Sequence, residues 1–172
     1  MTVEFLRGNV AGRTLHDTVY VTGNGQFHNY RDELDASFHH VENVWRRDDG
    51  WNDRHYTVLP EDASKYALRA AERFPNKRLL IHFVQPHYPF IDAPIEMGNT
   101  FDPDAPDFWT QVATGELDHA PDVLRNAYVG NLKAVLPHVA TVLDELDGKT
   151  VVTSDHGNLL GERVYPVPVR EW

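Results

Sequence analysis

Short runs of apolar and β-branched residues alternate with longer stretches of helical periodicity, and this alternation constrains the fold more than any other feature. Each run has turn or polar residues on at least one side, as buried strands do. The runs cover residues 17–21, 79–84 and 150–154, with a weaker one at 41–45. Helices set between near-continuously apolar strands are typical of parallel sheets. The sequence therefore predicts an α/β domain whose mainly parallel central sheet is flanked by helices.

The first helical stretch begins at Pro60, a favourable residue for the first turn of a helix, and ends before Pro75 and Asn76. One face carries its apolar residues, which are Ala63, Tyr66, Ala67, Ala70 and Phe74. This spacing predicts an amphipathic helix that packs against the sheet.

The second helical stretch ends at Gly148. Its apolar residues recur at intervals of three or four, at Leu124, Tyr128, Leu132, Val135, Val139, Val142 and Leu146. Pro137 interrupts the pattern. Because proline lacks a backbone donor and clashes with the preceding turn, we expect a kink or two abutting helices there.

A proline-rich, acidic segment with little periodicity lies at about 86–120. A segment this long in a compact domain is commonly a lid, an insertion or a disordered excursion. A chain of 172 residues is long enough for one domain with a sizeable core. We therefore predict a single α/β domain over residues 1–172 with a lid-like insertion at about 86–120.

The chain is strongly acidic, with a formal net charge of -10 from 26 acidic and 16 basic residues. Nucleic-acid binding requires a basic patch, and basic residues cluster only at 46–47 and 77–78, so no nucleic-acid partner is expected. Aspartate-rich, lysine-poor surfaces are typical of proteins that work in concentrated salt, where the charges are screened. An ordinary acidic soluble protein is the alternative interpretation.

The sequence contains no cysteine, which excludes disulfides, thiolate metal ligands and a cysteine nucleophile. No stretch approaches the apolar length needed to span a bilayer, and residues 1–12 lack the pattern of an export signal. We therefore expect a cytoplasmic chain without a membrane segment. The sequence leaves its oligomeric state open.

Asp155 and His156 form the strongest local signal for chemistry, because they directly follow the predicted strand at 150–154. A carboxylate and an imidazole at the carboxyl end of a strand can both turn toward one divalent cation, and Gly157 lets the backbone turn beneath them. A catalytic metal site needs at least three protein ligands, so others must lie elsewhere. The alternative is an ordinary turn in which Asp155 caps a helix and His156 lies on the surface.

His87 follows the predicted strand at 79–84 and stands between Pro86 and Pro89. The prolines restrict the backbone and would hold the imidazole at the edge of the sheet, where it could donate to an anionic oxygen or act as a general acid. His82 lies inside the same apolar run. We expect it to be a half-buried histidine satisfied by one backbone partner.

These segments together resemble the sulfatases and their phosphotransferring relatives in the alkaline phosphatase superfamily. Residues 155–157, followed by 160–162, look like the late metal-binding motif of that family, and residues 86–90 look like its proline-framed histidine on the substrate side. Residues 127–149 resemble the long helix that feeds the metal-binding strand. Residues 4–6 and 17–22 further resemble a sulfatase-like group associated with haloarchaea.

The resemblance implies an alkaline-phosphatase-like fold and metal-dependent hydrolysis of a sulfate or phosphate ester, on a small molecule or a glycan. It implies that Asp155 and His156 bind a divalent cation (Ca, Mn, Mg or Zn), that His87 is catalytic and faces the substrate, and that Glu162 contacts the substrate anion. A solvated helix start is the alternative for Glu162.

The sequence departs from the family at the nucleophile, because no Cys/Ser-x-Pro-x-Arg motif is present. The only similar fragment, at 166–170, has proline in the place of the nucleophile. Asp17 is a possible replacement for the family's early metal ligand, although a cap or turn role is more common for such an aspartate. We therefore expect an incomplete domain. The alternatives are a phosphotransferase similar to cofactor-independent phosphoglycerate mutase and a non-catalytic remnant that binds metal or glycan.

Overall fold

The fold was analysed in a computed structural model that describes residues 2–93, 95 and 106–158. Within these residues the chain forms six α-helices, three strands and one short 3-10 helix. In chain order they are α1 (Thr2–Asn9), β1 (Thr14–Thr22), α2 (Gln26–Asn29), α3 (Arg31–Leu34), β2 (Ser37–Asn43), the 3-10 helix (Val44–Arg46), α4 (Pro60–Arg73), β3 (Arg78–His82), α5 (Phe108–Thr114) and α6 (Pro121–Glu145).

The three strands form one parallel sheet in the order β2-β1-β3. Their last residues lie side by side, because Thr22 of β1 pairs with Asn43 of β2 and with His82 of β3. The prediction of an α/β fold with a parallel sheet and flanking helices is confirmed. The predicted strands at 17–21 and 79–84 are present with shifted ends, and β2 lies a few residues before the weaker prediction at 41–45.

The predicted strand at 150–154 is wrong. In the structure these residues form neither strand nor helix, and the side chains of Val151 and Val152 are 77% and 62% exposed. An apolar, β-branched run reports only a tendency, whereas a strand also needs a neighbour that pairs with its backbone. No segment in the described part of the chain pairs with residues 150–154.

Helices cover both faces of the sheet. The central strand β1 alternates between them, so that Val19 and Val21 point to one face and Tyr20 to the other. The first face packs against α4 and α6 through Val19, Val21, Val44, Val58, Ala63, Tyr66, Ala67, Ala70 and Val142. The second face packs against α1, α2 and α3 through Leu6, Val10, Tyr20, Phe27, Leu34 and Ala36. Burial on both faces explains why the strand runs read as continuously apolar.

Helix α4 agrees with its prediction, since Pro60 opens it and it ends at Arg73. Its buried residues include Ala63, Tyr66, Ala67 and Ala70, which face the sheet as the spacing indicated.

Helix α6 runs through Pro137 as one helix rather than as two. Its buried face is made by Leu124, Ala127, Asn131, Val135 and Val142. Leu132, expected on that face, is exposed, together with Val129, Leu136 and Leu143. The helix is apolar on two sides, and only one of them can face the body of the domain. Despite its length, α6 is not apolar enough to cross a membrane, and the same holds for every other helix in the described ranges.

The segment predicted as a lid or insertion contributes a small core of its own. Asp107 caps the N-terminus of helix α5, because its carboxylate accepts hydrogen bonds from the backbone N–H groups of Trp109 and Thr110. The Phe108 ring stacks on Tyr88 with their centroids 4.1 Å apart. Residues 94 and 96–105 lie outside the described part, so the lid itself stays a prediction.

We expect Leu34→Ala to lower the free energy of unfolding by about 2 to 5 kcal/mol, because the side chain is only 1% exposed and its removal leaves a cavity. Leu136→Ala is the matched control. Since Leu136 is 50% exposed, its truncation should cost less than about 1 kcal/mol. Urea denaturation of both variants measures the difference, and equal losses would contradict the core described above.

Candidate functional site

The carboxyl edge of the sheet is where the predicted site residues meet. After β1 the chain leaves toward α2 on one face, whereas after β3 it leads to α6, which packs with α4 on the other face. Connections that part in this way open a crevice at the carboxyl ends of two neighbouring strands, where α/β proteins commonly bind ligands. In this sheet the two neighbouring strand ends are those of β1 and β3, at Thr22 and His82.

Asp155 lies at this edge and is held by several groups. Its Oδ2 accepts a hydrogen bond of 2.6 Å from the Thr2 hydroxyl, and its Oδ1 accepts one of 3.0 Å from the His156 backbone N–H. The Nε2 atoms of His82 and His156 are 3.8 and 3.9 Å from Asp155 Oδ2. Its neighbour His156 and two residues that are distant in sequence, Thr2 and His82, thus surround this carboxylate.

The electrostatics of this group keep Asp155 ionised. Burial by itself would raise the pKa of Asp155, but the Thr2 hydroxyl, the two neighbouring imidazoles and the His156 backbone N–H together hold that pKa below its ordinary value. Asp155 is therefore a carboxylate at neutral pH, the form that binds cations.

His82 has a side-chain partner and not the backbone partner that the sequence suggested. Its Nδ1 is 2.8 Å from the Tyr20 hydroxyl, and burial lowers the pKa of His82. Burial also raises the pKa of Tyr20 to about 12, and the Asp155 charge acts in the same direction, so the phenol stays protonated. An O–H donated by Tyr20 to His82 Nδ1 leaves the proton on Nε2, on the side of Asp155. His82 thus links a buried tyrosine to the carboxylate.

His87 lies where the sequence predicted, in the turn that follows β3. Its backbone N–H donates to the Val84 carbonyl, and its Nδ1 is 2.6 Å from the Tyr88 carbonyl. A carbonyl only accepts, so Nδ1 carries the proton and the neutral ring presents the lone pair of Nε2. Burial lowers the pKa of His87, which favours this neutral form. The ring centroid is 6.1 Å from that of His156, so the two predicted segments do meet.

Asn131 of α6 fixes the turn that carries His87. Its Nδ2 donates to the carbonyls of His87 and Pro89, both at 2.9 Å, and its Oδ1 accepts from the Ile91 backbone N–H at 2.9 Å. The Asn131 side chain is 2% exposed. A buried amide that satisfies three backbone groups at once holds the turn in a single conformation.

The donor atoms are of the types that bind a divalent cation, but there are too few of them for a complete metal site. His156 Nδ1 is 3.2 Å from the Gly157 carbonyl, which leaves its Nε2 free to bind a metal, as in His87. Carboxylate oxygen and imidazole nitrogen are the usual ligands of zinc and manganese. Within residues 2–93, 95 and 106–158, however, no group of three or more such side chains is close enough to hold a metal ion.

Two further candidates from the sequence do not join this group. Asp17 lies within β1 and pairs with Arg78 at 2.9 Å, away from the carboxyl edge, so it serves as an exposed ion-pair partner. Glu162 lies outside the described residues, and its contact with substrate stays a prediction.

Sequence reasoning missed four residues that shape the site: Thr2, Tyr20, Tyr128 and Asn131. Burial raises the pKa of Tyr128, and the Asp155 charge adds to the rise. The one available signal was Asn131, a polar residue at a core position of the predicted helix. The other three have no signature along the chain, because only the fold brings them to Asp155.

Comparisons of the chain with protein-family models, curated proteins and solved structures give no match. The resemblance to the alkaline phosphatase superfamily therefore rests on the residues quoted for it.

We expect Asn131→Leu to lower the free energy of unfolding by about 3 kcal/mol, because it leaves two carbonyls and one N–H of the His87 turn without partners. Asn126→Leu, at an exposed position of the same helix, is the matched control and should change stability by less than about 0.5 kcal/mol. Urea denaturation compares the two, and similar losses would show that Asn131 does not hold the turn.

A second prediction concerns pH. The unfolded chain protonates His82 near the ordinary pKa of 6.5, whereas the folded chain does so only at lower pH. The stability that this difference contributes is present above about pH 6.5 and is lost as the pH falls toward the lowered pKa. The free energy of unfolding of the wild type should therefore fall more steeply below about pH 6.5 than that of His82→Gln. Urea denaturation at a series of pH values measures both slopes, and parallel curves would argue against the assignment.

Proposed function

We propose that this chain binds a divalent cation through Asp155 and His156 and takes part in the hydrolysis of a sulfate or phosphate ester on a small molecule or glycan. The convergence of His82, His87, Asp155 and His156 at the carboxyl edge of the sheet carries the proposal. These residues come from two segments about 70 positions apart, and each follows a run that the sequence marks as apolar.

The cation would be held by the Asp155 carboxylate and by His156 Nε2. Bound there, a divalent cation stabilises the negative charge that develops on the ester during hydrolysis. A third ligand is required. His82 Nε2, at 3.8 Å from Asp155 Oδ2, would supply it in the other tautomer of His82, in which Nδ1 carries the proton and donates it to the Tyr20 oxygen. Thr2 orients the carboxylate, since its hydroxyl occupies one side of Oδ2.

His87 would face the substrate. Its neutral ring presents the Nε2 lone pair, which accepts a proton or a hydrogen bond, so at neutral pH the site favours His87 as an acceptor more than as the general acid suggested by the sequence. The Asn131 contacts hold this nitrogen in a fixed position relative to His156.

The second candidate function is a non-catalytic metal-binding domain. The hydrogen bonds made by the Ser64 and Ser154 hydroxyls favour it. Ser64 donates to the Pro60 carbonyl, and Ser154 donates to the His156 carbonyl. Both hydroxyls are bound to backbone oxygens and lack the setting of a nucleophile, which would need an adjacent base. A phosphotransferase similar to phosphoglycerate mutase would also require such a serine.

The test combines metal content with hydrolysis of aryl sulfate and aryl phosphate in concentrated salt, for the wild type and for Asp155→Ala, His156→Ala. We expect the wild type to bind manganese, calcium, magnesium or zinc and the double variant to lose at least about tenfold in affinity, because both proposed ligands are gone. The matched control is His16→Ala, Asp17→Ala, which removes the same two residue types from the exposed part of β1.

Metal binding and turnover that both disappear in the site variant would support the hydrolase. Metal binding without turnover would support the non-catalytic domain. Equal metal content in the site variant and the wild type would exclude Asp155 and His156 as ligands.

A further inference from the structure

A cationic patch lies at the carboxyl end of β2, outside the group around Asp155. It consists of His28, Trp45 and Arg46 and is called here the Trp45 patch. The Arg46 guanidinium lies 5.5 Å from the centroid of the Trp45 ring, and the His28 ring meets the same ring edge to face at 5.7 Å. Arg46 Nη1 is 3.5 Å from His28 Nε2. Because Trp45 is half-buried, it gives the exposed guanidinium a fixed support.

The charge of Arg46 is not neutralised within the described part of the chain, where no carboxylate lies at salt-bridge distance from it. Its neighbour Arg47 is paired with Glu42 at 2.7 Å. A cleft of about 200 Å³ opens beside it, lined by Val41, Asn43, Arg46 and Arg47. A guanidinium with two neighbouring N–H groups matches the paired oxygens of a sulfate or phosphate group.

The Trp45 patch and the Asp155 group share one edge of the sheet. Asn43 pairs with Thr22, and Thr22 pairs with His82, so the ends of β2 and β3 lie level with each other on opposite sides of β1. Two strand spacings separate them, which is about 10 Å. Arg46 is three residues beyond Asn43, and His82 is the strand residue nearest to Asp155. A distance of this order is spanned by a disaccharide and exceeds a single sulfate or phosphate group.

We propose that the Trp45 patch is a subsite that binds a second sulfate or phosphate group of a saccharide substrate, with Arg46 as its anion ligand. The substrate class rests on the proposed function, whereas the subsite itself rests on the geometry of the patch. Trp45 and His28 act as positioning residues, since they hold the guanidinium and do not themselves need to touch the anion. The saccharide would lie along the carboxyl edge, with its other ester group at Asp155 and His87.

The test is calorimetric titration at an ionic strength of about 0.15 M, where exposed charges more than about 8 Å apart are largely screened. The probes are three disaccharides, which carry two sulfate groups, two phosphate groups or one sulfate group. The wild type should bind at least one of the doubly substituted probes more tightly than the singly sulfated one, and Arg46→Ala should abolish that preference with a loss of roughly tenfold in affinity. The matched control is Arg54→Ala, which removes an exposed arginine from the same connection. It should change affinity by no more than about twofold, because long-range attraction alone is screened.

The doubly substituted disaccharide that binds more tightly shows whether the subsite recognises sulfate or phosphate. Equal losses in Arg46→Ala and Arg54→Ala, or no preference for two anionic groups, would overturn the subsite. The same titrations in Asp155→Ala, His156→Ala distinguish this inference from the proposed function. An Arg46-dependent preference that persists in this variant would retain the subsite, and a wild type that binds no metal and hydrolyses neither ester would separately reject the proposed function.

Discussion

The burial of the second half of β1, residues 18–22, on every side is the constraint on which the other features of this domain depend. The strand pairs with β2 along one edge and with β3 along the other, and helices cover both of its faces. Val19, Tyr20 and Val21 are all nearly inaccessible, so the hydrophobic effect acts on consecutive residues and not on alternate ones. Because the neighbours are parallel, all three strands end at the same edge. The candidate site and the Trp45 patch lie together for this reason.

At that edge the same buried strand also supplies chemistry. Tyr20 belongs to the core of the second face through Phe27 and Phe38, and its hydroxyl binds His82. The packing that stabilises the sheet therefore also orients an imidazole toward Asp155. A substitution at Tyr20 would disturb the fold and the site together, and the two effects could be separated only by a variant that removes the hydroxyl and keeps the ring.

Much of the fold could be predicted from periodicity, because buried positions recur at regular intervals along the chain and carry apolar residues. The parallel sheet, α4 and the existence of α6 could be predicted from this spacing of apolar residues. The run at 150–154 shows the limit of such predictions, since β-branched residues favour an extended backbone but do not provide a pairing partner. The exposed position of Leu132 shows a second limit, because a helix that is apolar on two sides does not reveal which side faces the sheet. Asp155, His156 and His87 could be named in advance as candidate site residues, and the structure brings the two segments that carry them together. Thr2 and Tyr20 could not, since their roles arise from contacts between distant segments, and Asn131 left only the signal of a polar residue at a core position.

Among the described residues, the side chain of Asn131 forms hydrogen bonds only with main-chain atoms of the His87 turn. Because these hydrogen bonds are made to the backbone, they do not depend on which side chains the turn carries. A half-buried residue of the turn such as Ile91 can therefore be replaced while the path of the turn stays the same, whereas Asn131 is fixed by its hydrogen bonds and Tyr88 by its stacking on Phe108. Substitutions of side chains in the turn could therefore change which ligands the site binds while the backbone of the turn keeps its conformation.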